Sequence, residues 1–310
     1  MKRTILIITI LCVGLGIVIA YFLLHKDTDP KEYDMNVFGS SEPVYAERTP
    51  IPVPASSLLA LAVSGDSVYV SADGSVFIYG TNGKSRTSFA VFGKAGCIAV
   101  DGGVFLGMGN HVSVYSRTGK LIANWQYTDE RSELVSIAVR GNDVFAADFK
   151  NRIIWKYDRQ GTLTGTVAKR DEANGVPGLV LPSPYCDVIV SDAVWVANTG
   201  RLSIEKYSLD GKFISAWGKP GVGLSEFPGC CNPAHIARTP SGGFVTSEKG
   251  LLRIKEFDGS GKFIGLITRP GDFHPTAHPP AVAVDNAGRV YALDTYRKAV
   301  RVFERTVKGR

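Results

Sequence analysis

No nucleophile elbow, phosphate loop, dinucleotide fingerprint or paired metal motif occurs in this chain of 310 residues, so reactions that announce themselves in short motifs find no anchor here. The glycine-rich stretch "GVGLSEF" at 221–227 lacks the strand-to-helix setting that phosphate cradling needs, and it reads as a loop. Cysteine is scarce. Of five, Cys12 falls in an apolar N-terminal run, and Cys97, Cys186, Cys230 and Cys231 are too few for a disulfide framework. Charge of one sign never gathers: 35 Lys and Arg are scattered among 29 Asp and Glu, so the net +6 serves solvation and no nucleic-acid partner is expected. A hydrophobic content of 45% with 10% aromatics excludes a disordered polymer.

The long apolar run, Thr4 to Leu24, has 21 residues. At about 1.5 Å rise each it spans about 31 Å, the hydrocarbon thickness of a bilayer. Lys2 and Arg3 precede it, which places everything after Leu24 on the extracytoplasmic side. A cleaved signal peptide is the competing reading, with Val18 and Ala20 at the cleavage site, but "YFLL" continues the run past that point. Cys12 follows bulky Leu11, which does not suit lipidation. The expected organisation is a transmembrane signal anchor over 1–26, a polar, Pro-rich extended linker over 27–56, and a repeat domain over 57–310.

In that domain one phrase returns six times: an apolar strand ending in an aromatic, then a polar turn usually closed by Gly four residues later. It reads "VFIYGTNGK", "VSVYSRTGK", "IWKYDRQGT", "IEKYSLDGK", "IKEFDGSGK" and "VRVFERTVK", with aromatics at Tyr79, Tyr115, Tyr157, Tyr207, Phe257 and Phe303. The intervals, by subtraction, are 36, 42, 50, 50 and 46 residues. Repeats of this size built from short strands are propeller blades. The strand before each second strand is short and small ("LALAV", "CIAV", "SIAV", "DVIV", "HIAR", "AVAV"), as crowding around a central channel requires. The second strands alternate apolar residues with a period of two. The sixth blade ends one strand short, and the segment "EPVYAERTP" at 42–50 is placed to supply that strand and close the ring.

The stretch "WGKPGVGLSEFPGCCNPAHIARTPSGGFVTSEKGLLRIKEFDGSGKFI" from Trp217 has a Gly-rich approach, a Phe-Pro step, a small inner strand and a "RIKEFD…G" exit. With "AVAVDNAGRVYALDTYRKAVRVF" from Ala281, it resembles the NHL-repeat family of six-bladed β-propellers. The resemblance covers the whole repeat domain, most closely in its last two blades. It implies an all-β, six-bladed ring, following the N-terminal helix that the apolar run predicts, used as a binding platform or scaffold and, in a minority of such proteins, as a lyase or hydrolase.

In such a ring the loops entering the inner strands and those joining second to third strands open on one face. The residues opening the inner strands are Ala60, Cys97, Ser136, Asp187, His235 and Ala281; those ending the second strands are Ala72, Met108, Asp148, Asn198, Glu248 and Asp294. The most unusual loop is "FPGCCNPAH", with Cys230 and Cys231 four residues before His235. It suits a vicinal disulfide, soft-metal binding or a redox-active thiol pair. A second loop, "RPGDFHPTAHPP", offers His274 and His278 from a segment whose prolines rule out a helix. The leading expectation is a membrane-anchored, extracytoplasmic scaffold whose mouth, through Cys230, Cys231, His235, Asp187 and Asp294, meets a protein or small ligand. The alternative is a metal-dependent or thiol-redox enzyme, with a transition metal on Cys230, Cys231, His235 and Cys97, Glu248 as acid/base, and Lys249 or Arg297 holding an anion.

Overall fold

Valine, isoleucine and aromatic residues alternating in runs of four to seven, punctuated by glycine turns, favour strands over helices in the repeat domain, and the described residues fold as short antiparallel strands. A computed structural model describes residues 42–126 and 129–306. The expected anchor and the start of the linker lie outside the described residues. Among the described residues, no helix is long and apolar enough to cross a membrane.

The strands form six antiparallel sheets. Blade 1 comprises Leu58–Ser64, Ser67–Ala72, Ser75–Gly80 and Ser85–Ala90; blade 2, Cys97–Asp101, Gly103–Gly107, Val112–Tyr115 and Leu121–Asn124; blade 3, Leu134–Arg140, Asp143–Asp148, Ile153–Asp158 and Leu163–Val167. Blade 4 comprises Val188–Val190, Val194–Asn198, Ser203–Tyr207 and Phe213–Trp217; blade 5, His235–Arg238, Phe244–Ser247, Ile254–Phe257 and Phe263–Thr268. Blade 6 takes Val282–Val284, Val290–Asp294 and Ala299–Arg305 from the C-terminal end. Its outer strand comes from the N-terminal side: Tyr45–Glu47 pairs with 303–305, and Ile51–Pro52 pairs with 299–300. Early chain thus completes late chain, and two strands of the ring fall in the segment expected as linker.

Burial follows strand position. The second strands are covered on both faces and buried along their whole length, as in Val194–Asn198, whereas an outer strand such as Ser85–Ala90 is almost wholly exposed. Six apolar clusters fill the six junctions between neighbouring blades, and the repeated aromatics Tyr79, Tyr115, Tyr157, Tyr207, Phe257 and Phe303 are all buried. The glycine four residues beyond five of the six aromatics has two physical reasons. At Gly161 the turn needs φ +88°, and a Cβ would stand 2.4 Å from Trp125, just past the preceding blade's outer strand; at Gly261, with φ +87°, it would stand 2.5 Å from Trp217. Asp158 and Asp258 close these turns by accepting backbone N–H groups two and four residues on, at 2.8–3.0 Å.

Candidate functional site

The six residues that open the inner strands, Ala60, Cys97, Ser136, Asp187, His235 and Ala281, line a single cavity of about 150 Å³ on the ring axis. That neck widens into a funnel of about 830 Å³ whose wall includes Leu58, Lys94, Glu133, Tyr185, His278 and Tyr296. His235 lines both spaces. The funnel belongs to the face predicted from sequence, because short inner strands of small residues leave an axial hole and the loops feeding them form its rim.

At the neck, Asp187 Oδ2 lies 3.2 Å from His235 Nδ1 and accepts the Ile236 N–H at 3.0 Å. Blade 4's loop thereby orients the first side chain of blade 5. Tyr185 packs edge-on against the imidazole, with ring centres 5.4 Å apart, and Lys249 Nζ stands 5.8 Å from the tyrosine ring. Burial pushes the Tyr185 phenol above its ordinary range. Lys249 is the turn residue of blade 5, and Asn232 clasps its backbone from the cysteine loop, accepting its N–H at 2.7 Å and donating to its carbonyl at 3.1 Å. Cys230, Cys231, Lys249, Tyr185, His235 and Asp187 are therefore linked through successive contacts along the junction of blades 4 and 5.

The second-strand ends serve a different purpose. Each polar one pairs with the residue seven positions on, across the second hairpin: Asp148 accepts Trp155 Nε1 at 2.8 Å, Asn198 donates to Glu205 at 2.9 Å, Glu248 meets Lys255 at 2.5 Å, and Asp294 lies 3.9 Å from Arg301. These side chains lie buried within the blades, apart from the half-buried Trp155. Asp294 also accepts the N–H groups of Tyr296 and Arg297 at 3.1 and 2.9 Å, tying down its own turn rather than reaching into the funnel. Burial raises the Asp148 carboxyl, but hydrogen bonds from Ser132, Asn151 and Trp155 outweigh it and hold the group below the usual carboxylate range. Sequence reasoning missed the i+7 partners. The signal was present in the changing residue two places before each repeated aromatic: Trp155, Glu205, Lys255 and Arg301.

Glu248 requires a correction. Expected as an acid/base at the mouth, it is fully buried between Arg253 Nε and Lys255 Nζ, both at 2.5 Å. A carboxylate removed from water needs such cations, and here they keep it out of the funnel. Arg253 also donates to Gly223 O at 2.9 Å and Lys255 to Glu226 O at 2.5 Å. The triad thereby fastens the long loop that carries Cys230 and Cys231.

The expected metal set does not assemble either. Among the described residues no three His, Cys, Asp or Glu side chains converge as ligands. Cys97 donates to Leu134 O at 3.7 Å, and burial pushes its thiol up to about 12. His274 stacks on Tyr296 at 3.7 Å instead of pairing with His278; His278 alone of the two lines the funnel. Arg297 is exposed, its Nε 3.8 Å from Asp294.

No family model and no curated protein matches the chain. Among solved structures, a protein of unknown function from Bacteroides thetaiotaomicron is similar with TM-score 0.63 and 16% identity, covering 84% of this chain and 76% of that one. A streptogramin B lyase structure is similar with TM-score 0.57 and 14% identity over 84% of this chain and 98% of that one. The WD40 β-propeller domain of Doa1 is similar with TM-score 0.57 and 11% identity over 85% and 98%. At such identities the likeness is one of fold, and the fold is a six-bladed β-propeller.

Proposed function

We propose that this chain is an NHL-type propeller, anchored in the membrane by residues 1–26 and displayed on the extracytoplasmic side, that binds an anionic small ligand or an acidic segment of a protein in its funnel. The observation that carries this reading is the charge of the mouth. Lys94 and Lys298 line the funnel, Lys249 approaches it over Tyr185, and among the described residues no acid is paired with any of the three. The acidic residue in the wall, Glu133, is already matched by Lys150 at 3.3 Å. A concave site with cations to spare and low-dielectric walls concentrates anions.

The enzymatic alternative has less support. Glu248 is held in buried ion pairs with Arg253 and Lys255, no three of the candidate metal ligands converge among the described residues, and the likeness to a lyase rests on fold alone. A ligand panel read by thermal shift on the full chain tests the binding reading. Hits should be anionic, and they should lose affinity in Lys94→Glu, Lys298→Glu and His235→Ala. Hits that are neutral, or that bind these variants as tightly as the parent, overturn it.

A further inference from the structure

The loop between blades 4 and 5 holds a covalent chemistry that the binding reading does not use. The sulfurs of Cys230 and Cys231 lie 3.1 Å apart. Cys230 is exposed and Cys231 is buried, so one thiol meets solvent while the other waits beneath it. The turn is held on both sides: Asn232 donates to Pro228 O at 2.6 Å, clasps the Lys249 backbone, and sends its own N–H to Thr199 O at 3.2 Å. The backbones of two blades therefore keep the sulfurs in register.

Spacing and ligand count together discriminate between the chemistries. Two thiolates on one tetrahedral zinc, at about 2.3 Å per bond, stand about 3.8 Å apart, whereas a disulfide bond is about 2.05 Å. The observed contact falls between the two, but among the described residues no three His, Cys, Asp or Glu side chains converge as a ligand set, whereas the disulfide needs only the two sulfurs and an approach of about 1 Å. We propose that Cys230 and Cys231 are a site of reversible oxidation to a vicinal disulfide, by exchange with a small-molecule or protein disulfide. This modification stands apart from the identity of the funnel's ligand.

The exchange balances in two steps. The Cys230 thiol gives its proton to solvent and its sulfur attacks one sulfur of R–S–S–R; the S–S bond breaks and the leaving thiolate takes up a proton. Cys231, deprotonated in turn, attacks the Cys230 sulfur of the mixed disulfide, forming the Cys230–Cys231 bond and releasing the second R–SH. The two cysteines lose two electrons and the disulfide gains them. Adjacent Cα atoms are about 3.8 Å apart, short of the roughly 4.4–6.8 Å usual for disulfides, so the bond is strained and excess thiol reverses it. The Cys230 thiol is held above its ordinary range by its hydrogen bond to Cys231, against the pull of Lys249. Oxidation therefore quickens as the pH rises, because the thiolate is the attacking form.

The test equilibrates the full chain with mixtures of reduced and oxidised glutathione, traps thiols by acid and iodoacetamide, and reads the tryptic peptide spanning both cysteines by mass. In the oxidising mixture that peptide should have lost two hydrogens and carry no alkyl group. Excess reduced glutathione should restore two alkylatable thiols, and Cys97 and Cys186, both buried, should stay reduced throughout. Cys231→Ser should stop at the Cys230–glutathione adduct. Two alkylatable thiols across the whole range, or a stable glutathione adduct on the parent chain, overturn the proposal.

Discussion

Removal of the ring-closing segment is the most demanding test of the fold. A chain starting after Val53 would lose Tyr45, Ile51 and Val53 from the core, at about 1.5–3 kcal/mol each. It would also lose the backbone bonds Val44 N to Leu266 O, Arg48 N to Val302 O, Val53 N to Lys298 O and Thr306 N to Val44 O, at about 0.5–1.5 kcal/mol each. Arg301, whose side chain is buried, would lose Glu47, which it grips at 2.8 and 2.6 Å; because Glu47 is partly exposed and Arg301 keeps Asp272 O, the loss is about 1–3 kcal/mol. Together these come to about 8–18 kcal/mol, comparable with the whole stability of an ordinary domain, about 5–15 kcal/mol. The truncated chain should not fold, whereas a chain starting at Glu42 should melt with the full-length protein by calorimetry. Equal melting of the two truncations would show that the ring closes without this segment.

Gly161→Ala should destabilise by about 2–4 kcal/mol, from strain at positive φ and collision with Trp125, while Gly141→Ala, with φ +58° and nothing within 4 Å, should lose only about 1 kcal/mol; similar denaturant midpoints would contradict the packing argument. Lys255 is drawn down to about 8 by burial. The unfolded chain binds more protons than the folded one between that value and the ordinary lysine range, so stability should rise with pH across this window and level off above it. Lys255→Met should lack that rise, and parallel pH–stability curves for parent and variant would refute the assignment. For topology, protease added to the outer side of spheroplasts should digest the propeller; full protection would reverse the proposed orientation.

Legibility was uneven, and the unevenness has a physical pattern. The blades could be read from the aromatic and its glycine because the repeats meet the same constraints: a buried ring at a blade junction in all six and, in five, a left-handed glycine turn against the previous blade. The six inner-strand openings were legible for the same reason, since strand order alone brings Ala60, Cys97, Ser136, Asp187, His235 and Ala281 to the axis. Glu248 and Asp294 were misjudged as open to the mouth. Their direction depends on the i+7 partner across the hairpin, and that partner changes from blade to blade.

The amino-acid sequence by itself determined that this chain would be a ring of six four-stranded blades, because strand period, turn glycines and repeat length are local properties that recur. Tertiary structure decided which polar residues became structure and which were left exposed at the rim. Glu248 is spent on Arg253 and Lys255, Asp187 on His235, and Asp294 on its own turn, while Lys94, Lys249 and Lys298 keep their charges free of acidic partners among the described residues. Such pairing links residues from different strands and blades, and its energy depends on burial that only the closed ring creates.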